Sequence, residues 1–191
     1  MGNALADDRL SSAGRALHDL GAAALFGGNL FARVGMHPAL ADISAPRERG
    51  LVVNHAWRRY GTVNSASLLA VLAGWTLARR DEASNRMLSA NERRLAKAKD
   101  IAAGAVAVSG LASALGGVLF ARMEPGGAIA LADGASPTAE TPEREARAKR
   151  IVSALGATEL VSSGALVTIN AALAQVGFRR PPVRRLLRRS Y

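Results

Sequence analysis

Three stretches without a single charged side chain limit what this chain can become: Tyr60–Ala78, Ile101–Ala121 and Leu160–Phe178, of 19, 21 and 19 residues. As helices rising about 1.5 Å per residue, they would each extend about 28–32 Å. That is the thickness of a bilayer's hydrocarbon core, about 30 Å. A water-soluble amphipathic helix places Lys or Glu on its wet face every third or fourth residue, and none of the three does so. The mean hydropathy of the whole chain is barely positive. Ala and Gly dilute the apolar runs, and charge is concentrated in the blocks between them. The pattern predicts an all-α integral membrane protein; the competing arrangement is a soluble bundle of very Ala-rich helices.

The segment "LHDLGAAALFGGNLFARVGMHPAL", Leu17–Leu40, is harder to place. Its uncharged centre covers the thirteen residues Leu20–Ala32. A helix is expected over Leu10–Met36, with Ser11 or Ser12 as its cap. Arg9, Arg15 and the "ALA" at Ala39–Ala41 imitate a cleaved signal peptide. However, Asp7, Asp8 and Asp19 spoil the basic start, and the "ALA" lies too far beyond the apolar centre. A retained span works if Arg33 reaches one interface while Arg15 and Asp19 sit at the other. The expectation is therefore a single membrane domain over 1–191, a four-helix bundle with spans near 13–36, 60–79, 99–121 and 151–178.

The connections differ in kind. Between the first two spans, Pro38 and Pro46 interrupt helix, and "RERGLVVNHAWRRY" predicts an interfacial turn or two. Trp57 and Tyr60 fall where an aromatic belt is expected, with Trp75 near the opposite face. Arg79–Asp100 reads as a polar connection that extends the flanking spans. Residues 123–142, rich in Gly, Pro and Ser, read as a flexible loop, with Thr141 or Pro142 opening the last helix.

The 25 basic and 15 acidic residues give a pI near 11.4, which usually invites a nucleic-acid reading. Here the charge falls in blocks and aromatics for stacking are only 4 %, so no nucleic-acid partner is expected. The flanking Lys and Arg number fifteen on the side of the termini and ten on the other, which predicts both termini in the cytoplasm. The tail arginines Arg179, Arg180, Arg184, Arg185, Arg188 and Arg189 suit anionic lipid headgroups, at roughly 1 kcal/mol each. Bilayer lipid is thus the expected partner and the cytoplasmic membrane the expected location.

Chemistry is sparse. Cysteine is absent, which removes disulfides, thiolate nucleophiles and Cys-based metal sites. There is no H-E-x-x-H, P-loop, G-x-S-x-G or G-x-G-x-x-G, so neither catalysis nor a cofactor is expected. Glu159 stands inside the last apolar stretch, where an ionised carboxylate costs about 2.5–3.5 kcal/mol at mid-bilayer. It is either a proton or cation site with Asn29, Asn64 or Asn170 as oxygen ligands, or a carboxylate at the membrane surface bonded to Ser162, Ser163 or a loop arginine. His37 and His55 invite a haem or metal reading, which needs two histidines on facing helices at one depth. Small residues recur every fourth position (Ala66, Ala70, Gly74, Ala78; Ser109, Ser113, Gly117; Ala24, Gly28, Ala32). Such stripes permit close helix packing, within the chain or in a homo-oligomer.

With Gly27, Gly28, Phe31 and Pro38, the opening stretch resembles the first span of small four-helix bacterial membrane proteins of unknown function, the DUF4149 and TMEM205-like group. The resemblance covers about the first quarter of the chain. It implies four spans and supplies no catalytic residues. Function is then expected to be a structural or interaction component of the bacterial cytoplasmic membrane. The alternatives are a transporter- or channel-like subunit with a polar path around Glu159, and a haem- or metal-binding protein using His37 and His55.

Overall fold

A computed structural model describes residues 2–80, 88–122 and 128–178. Among them are four long helices: α1 (Gly2–Phe31), α2 (Pro46–Arg80), α3 (Ala90–Ala121) and α4 (Glu143–Phe178). The tail arginines Arg179, Arg180, Arg184, Arg185, Arg188 and Arg189 lie outside the described residues.

Local chemistry accounts for the helix ends. α1 runs on through a π-type turn at Ala32–Met36 and short turns to Asp42. Pro46 then opens α2 at its first position, where its missing N–H and fixed φ suit a helix start. Sequence reasoning left only a turn or two of helix before Tyr60; instead α2 is continuous from Pro46. Its early turns are amphipathic: Gly50 and Val53 are buried and Trp57 half-buried, while Arg47, His55 and Arg59 are exposed. α3 starts with a capping box, in which Ser89 accepts from the Glu92 N–H and the Ser89 N–H donates to Glu92 Oε2 at 2.8 Å. Both satisfy donors that a helix start leaves open.

The helices form an antiparallel ring in which α1 packs on α2, α2 on α3, α3 on α4 and α4 back on α1. The α1–α2 seam has a seven-residue period. Gly14 meets Gly74, Gly21 meets Ser67, and Gly28 meets Tyr60. A side chain at Gly28 would overlap the Tyr60 ring, and one at Gly74 would strike the Gly14 carbonyl and His18. Tyr60 completes the fit by donating its hydroxyl to Ala24 O at 2.8 Å. Of the four-residue stripe expected on α2, Ala70 faces Gly21 across the seam and only Ala66 turns away. Gly74 and Ala78 are buried while Ala66 is exposed, and the buried line runs Ser67, Val71, Gly74, Ala78.

Of the expected flexible loop over 123–142, residues 123–127 lie outside the described residues, and 128–142 make specific contacts with the bundle. Ile129 and Leu131 are buried with Leu40, Val53 and Phe120 in a small core of their own. Leu131 N donates to Pro46 O at 3.0 Å, and Gly134 N to His37 O at 3.0 Å. Arg49 Nη1 binds Leu131 O at 3.1 Å and Ala132 O at 2.8 Å. This segment caps one end of the bundle.

Three helices, within Pro46–Arg80, Ala90–Ala121 and Glu143–Val176, are long and apolar enough to cross a membrane. α1 is not among them, since Arg15 and Asp19 shorten its uncharged stretch. The distribution of side chains is inverted relative to a water-soluble bundle. The exposed positions of α3 from Ile101 to Leu119 are all Gly, Ala, Val, Ile or Leu, with Val108 72 % exposed. Those of α1 from Leu20 to Phe31 are likewise apolar. Inside lie His18, Asn29, Ser109, Glu159, Ser162 and Ser163. The exposed threonines Thr62, Thr76, Thr158 and Thr168 each donate to a carbonyl of their own helix, at 2.6–3.1 Å. In hydrocarbon such a hydroxyl finds no water, and back-bonding to the helix satisfies it.

Candidate functional site

The polar residues of the interior are arranged in three levels along α4. Lys149, Glu159 and Asn170 are ten and eleven residues apart, hence about 15 Å from one to the next at 1.5 Å per residue. From first to last they cover about the thickness of a hydrocarbon core.

Glu159 occupies the middle level, near the centre of α4, and is 2 % exposed. Asn64 of α2 donates Nδ2 to its Oε1 at 3.2 Å. Gly110 of α3 leaves room for the carboxyl, since a Cβ there would stand 3.3 Å from Oε1. Neither serine expected to hold the carboxyl bonds to it. Ser162 donates to Glu159 O and Ser163 to Leu160 O, both backbone carbonyls. α4 begins at Glu143, just after the Thr141–Pro142 start that the sequence predicts, so Glu159 lies about four turns inside the helix.

Of the three asparagines proposed as its companions, only Asn64 reaches Glu159, and it does so through its nitrogen. Asn64 Oδ1 stays buried without a hydrogen-bond partner, as does Ser113 Oγ. Asn29 bonds Leu25 O of its own helix at 2.9 Å. Asn170 belongs to the next level down. It accepts from Lys99 Nζ and donates to Asp19 Oδ1 at 2.7 Å.

That lower level is closed. Lys99 Nζ lies 4.2 Å from the centre of the Trp75 ring, a cation–π contact. Trp75 Nε1 donates to Asp100 Oδ1 at 2.8 Å, and Arg79 pairs with Asp100 at 3.0 Å. His18 donates Nδ1–H to Val71 O at 2.8 Å; its Nε2 is buried and unpartnered.

The upper half is open. Asn29, Asn64, Ser113, Lys149 and Glu159 all face one cavity of about 670 Å³, walled elsewhere by Trp57, Phe120, Val118 and Val152. Its size is that of small-molecule sites, and its lining mixes apolar side chains with polar and charged ones. Lys149 is 5 % exposed and donates to Gly134 O at 2.7 Å. The expectations missed Lys149 as a lining residue. The available signal was spacing, because Lys149, Val152, Gly156, Glu159 and Ser163 follow at three- and four-residue steps on one helix face.

The histidine pair does not assemble. His55 is exposed, while His37 accepts from Trp57 Nε1 at 3.4 Å and lines the cavity. Burial and the nearby Lys149 ammonium push the His37 pKa down to about 4. No cluster of three or more His, Asp or Glu side chains suited to a metal ion occurs among the described residues.

No family model, curated protein or solved structure matches the chain.

Proposed function

We propose that this chain is a multi-pass protein of the bacterial cytoplasmic membrane, with four spans and both termini in the cytoplasm, acting as a transporter-like subunit. Its polar path runs through Glu159. The observation that carries this reading is a fully buried carboxyl at mid-bundle that lines a cavity of about 670 Å³. Ionisable groups within spans cost energy and mark ion or substrate routes. The lower half is filled by Trp75, Lys99, Asp100 and Asn170, which supports gated access from the upper side rather than a permanent channel.

The fourth span, α1, is favoured by its apolar outer face and its tight seam with α2. The orientation follows the Lys and Arg excess on the side of the termini. Four helices leave little room for alternating access, so the active unit is a homo-oligomer.

The test is proton or cation flux into vesicles reconstituted with the full chain. Glu159→Gln is expected to abolish the flux while the protein still folds and inserts. Unchanged flux in Glu159→Gln, or none in the native protein, would overturn the path and leave the competing role, a structural or interaction component. A protein that stays monodisperse in buffer without amphiphile would refute the membrane assignment itself.

A further inference from the structure

The cavity has a side door. Its exposed lining residues are Arg58, Thr62 and Ser65 on α2 and Ala114 and Val118 on α3, with Arg33 just beyond the end of α1. Those on α2 and α3 mark a mouth between two helices that touch lower down, through Trp75–Asp100 and Leu68–Gly110. Beyond the mouth lies the apolar outer face of α3, with Leu111, Leu115 and Leu119 all more than half exposed.

The upper end of the cavity carries more positive than negative charge, with the Asp133 carboxylate near enough to act on Lys149 and His37. Lys149, Arg33 and Arg58 line it. Lys149 spends one of its three donors on Gly134 O, and among the described residues neither arginine has an ion-pair partner. Glu159 lies about three helical turns from Lys149 along α4, and Asn64 a little under two turns from Arg58 along α2. A basic pocket near the interface that opens sideways onto apolar helix faces suits an anionic lipid. Its headgroup can enter among the cations while its chain stays outside.

We propose that this pocket binds the phosphate headgroup of a bilayer phospholipid, entering laterally between α2 and α3, with Lys149 and Arg58 as its principal contacts. The site depends on the membrane assignment and on no role of Glu159. Its source is the bilayer rather than the water phase, because the segment 128–142 covers the end of the bundle while the side faces lipid.

Trp57 lines the cavity and provides the reporter. The full chain would be reconstituted in phosphatidylcholine vesicles containing a small fraction of phosphatidylglycerol or phosphatidylcholine brominated on the acyl chain. Bromine quenches tryptophan at contact, and a Trp57→Phe variant isolates the contribution of that residue. Trp57 quenching should saturate and favour the anionic lipid by about fivefold, the ratio expected for one cation at an anionic surface. Lys149→Gln and Arg58→Gln should both reduce the preference, and Glu159→Gln should retain it. Since Arg58 is exposed, its variant carries the test even if Lys149→Gln fails to fold.

Equal quenching by the two lipids, or a preference unchanged in Arg58→Gln, would overturn the proposal. So would loss of the quenching on adding soluble glycerol phosphate, because the site would then take a free anion from water. Carbonate extraction of the same vesicles reports insertion separately. A lipid-site failure in a properly inserted protein is thereby distinguished from failure of the membrane assignment.

Discussion

Asn64 and Glu159 meet across the bundle interior, the amide of α2 donating to the carboxyl of α4 at 3.2 Å over a separation of 95 residues. The contact joins the two helix pairs at the level where the cavity ends. Removing the donor leaves a buried carboxyl without that partner, which costs about 1–3 kcal/mol. Asn64→Leu should therefore lower the thermal midpoint in detergent clearly. Glu159→Gln, which retains an acceptor oxygen for Asn64, should change it little. Equal midpoints for the native chain and Asn64→Leu would mean that the contact contributes nothing to the fold.

The neighbouring glycines Gly27 and Gly28 should respond oppositely to alanine. A Cβ at Gly28 overlaps the Tyr60 ring, whereas one at Gly27 meets nothing within 4 Å. Gly28→Ala should destabilise by about 1–3 kcal/mol through overpacking. Gly27→Ala should be neutral or stabilising by up to about 1 kcal/mol, since Ala loses less backbone entropy in a helix. Thermal unfolding of the two variants side by side checks this; similar losses would refute the heptad seam.

Ser89→Ala should remove the capping box of α3 and cost about 1 kcal/mol. The effect is local, so hydrogen exchange of the first turn after Ala90 should accelerate while the middle of α3 remains protected.

Acid should loosen the capped end of the bundle through His37, which lies outside the spans. Burial and Lys149 lower its pKa from 6.5 to about 4, with Arg33 adding to the effect and Asp133 opposing it. Between these values the unfolded chain binds a proton that the folded one refuses. Stability is therefore complete above about pH 6.5 and is lost as pH falls toward about 4, by roughly 1–3 kcal/mol. The thermal midpoint of His37→Gln should fall less than that of the native chain between pH 7 and pH 4.5. Parallel pH profiles would remove His37 as the cause.

Much of the architecture was legible in the chain because lipid-compatible helices need long stretches without charge, and Tyr60–Ala78, Ile101–Ala121 and Leu160–Phe178 each lie within one long helix. Glu159 stood out for the same reason, as a charge where charge is costly. The helix start at Pro46 was misjudged: a proline that ends one helix is equally suited to begin the next. The hold on residues 128–142 was also hidden, because Gly, Pro and Ser describe backbone freedom and say nothing of which carbonyls Arg49 and Lys149 will find.

Sequence alone determined that these helices are apolar outside the charged blocks, how many residues each has to span a membrane, and that a carboxyl must be accommodated among them. Only the tertiary structure decided which face of each helix turns inward. It paired Asn64 rather than Asn29 or Asn170 with Glu159, closed the lower level around Trp75, and left the upper one open between α2 and α3. The physical reason is that helix composition sets the solvent a segment tolerates. Side-chain encounters depend instead on the register of one helix against another, and here that register is set by backbone approach at Gly14, Gly21 and Gly28.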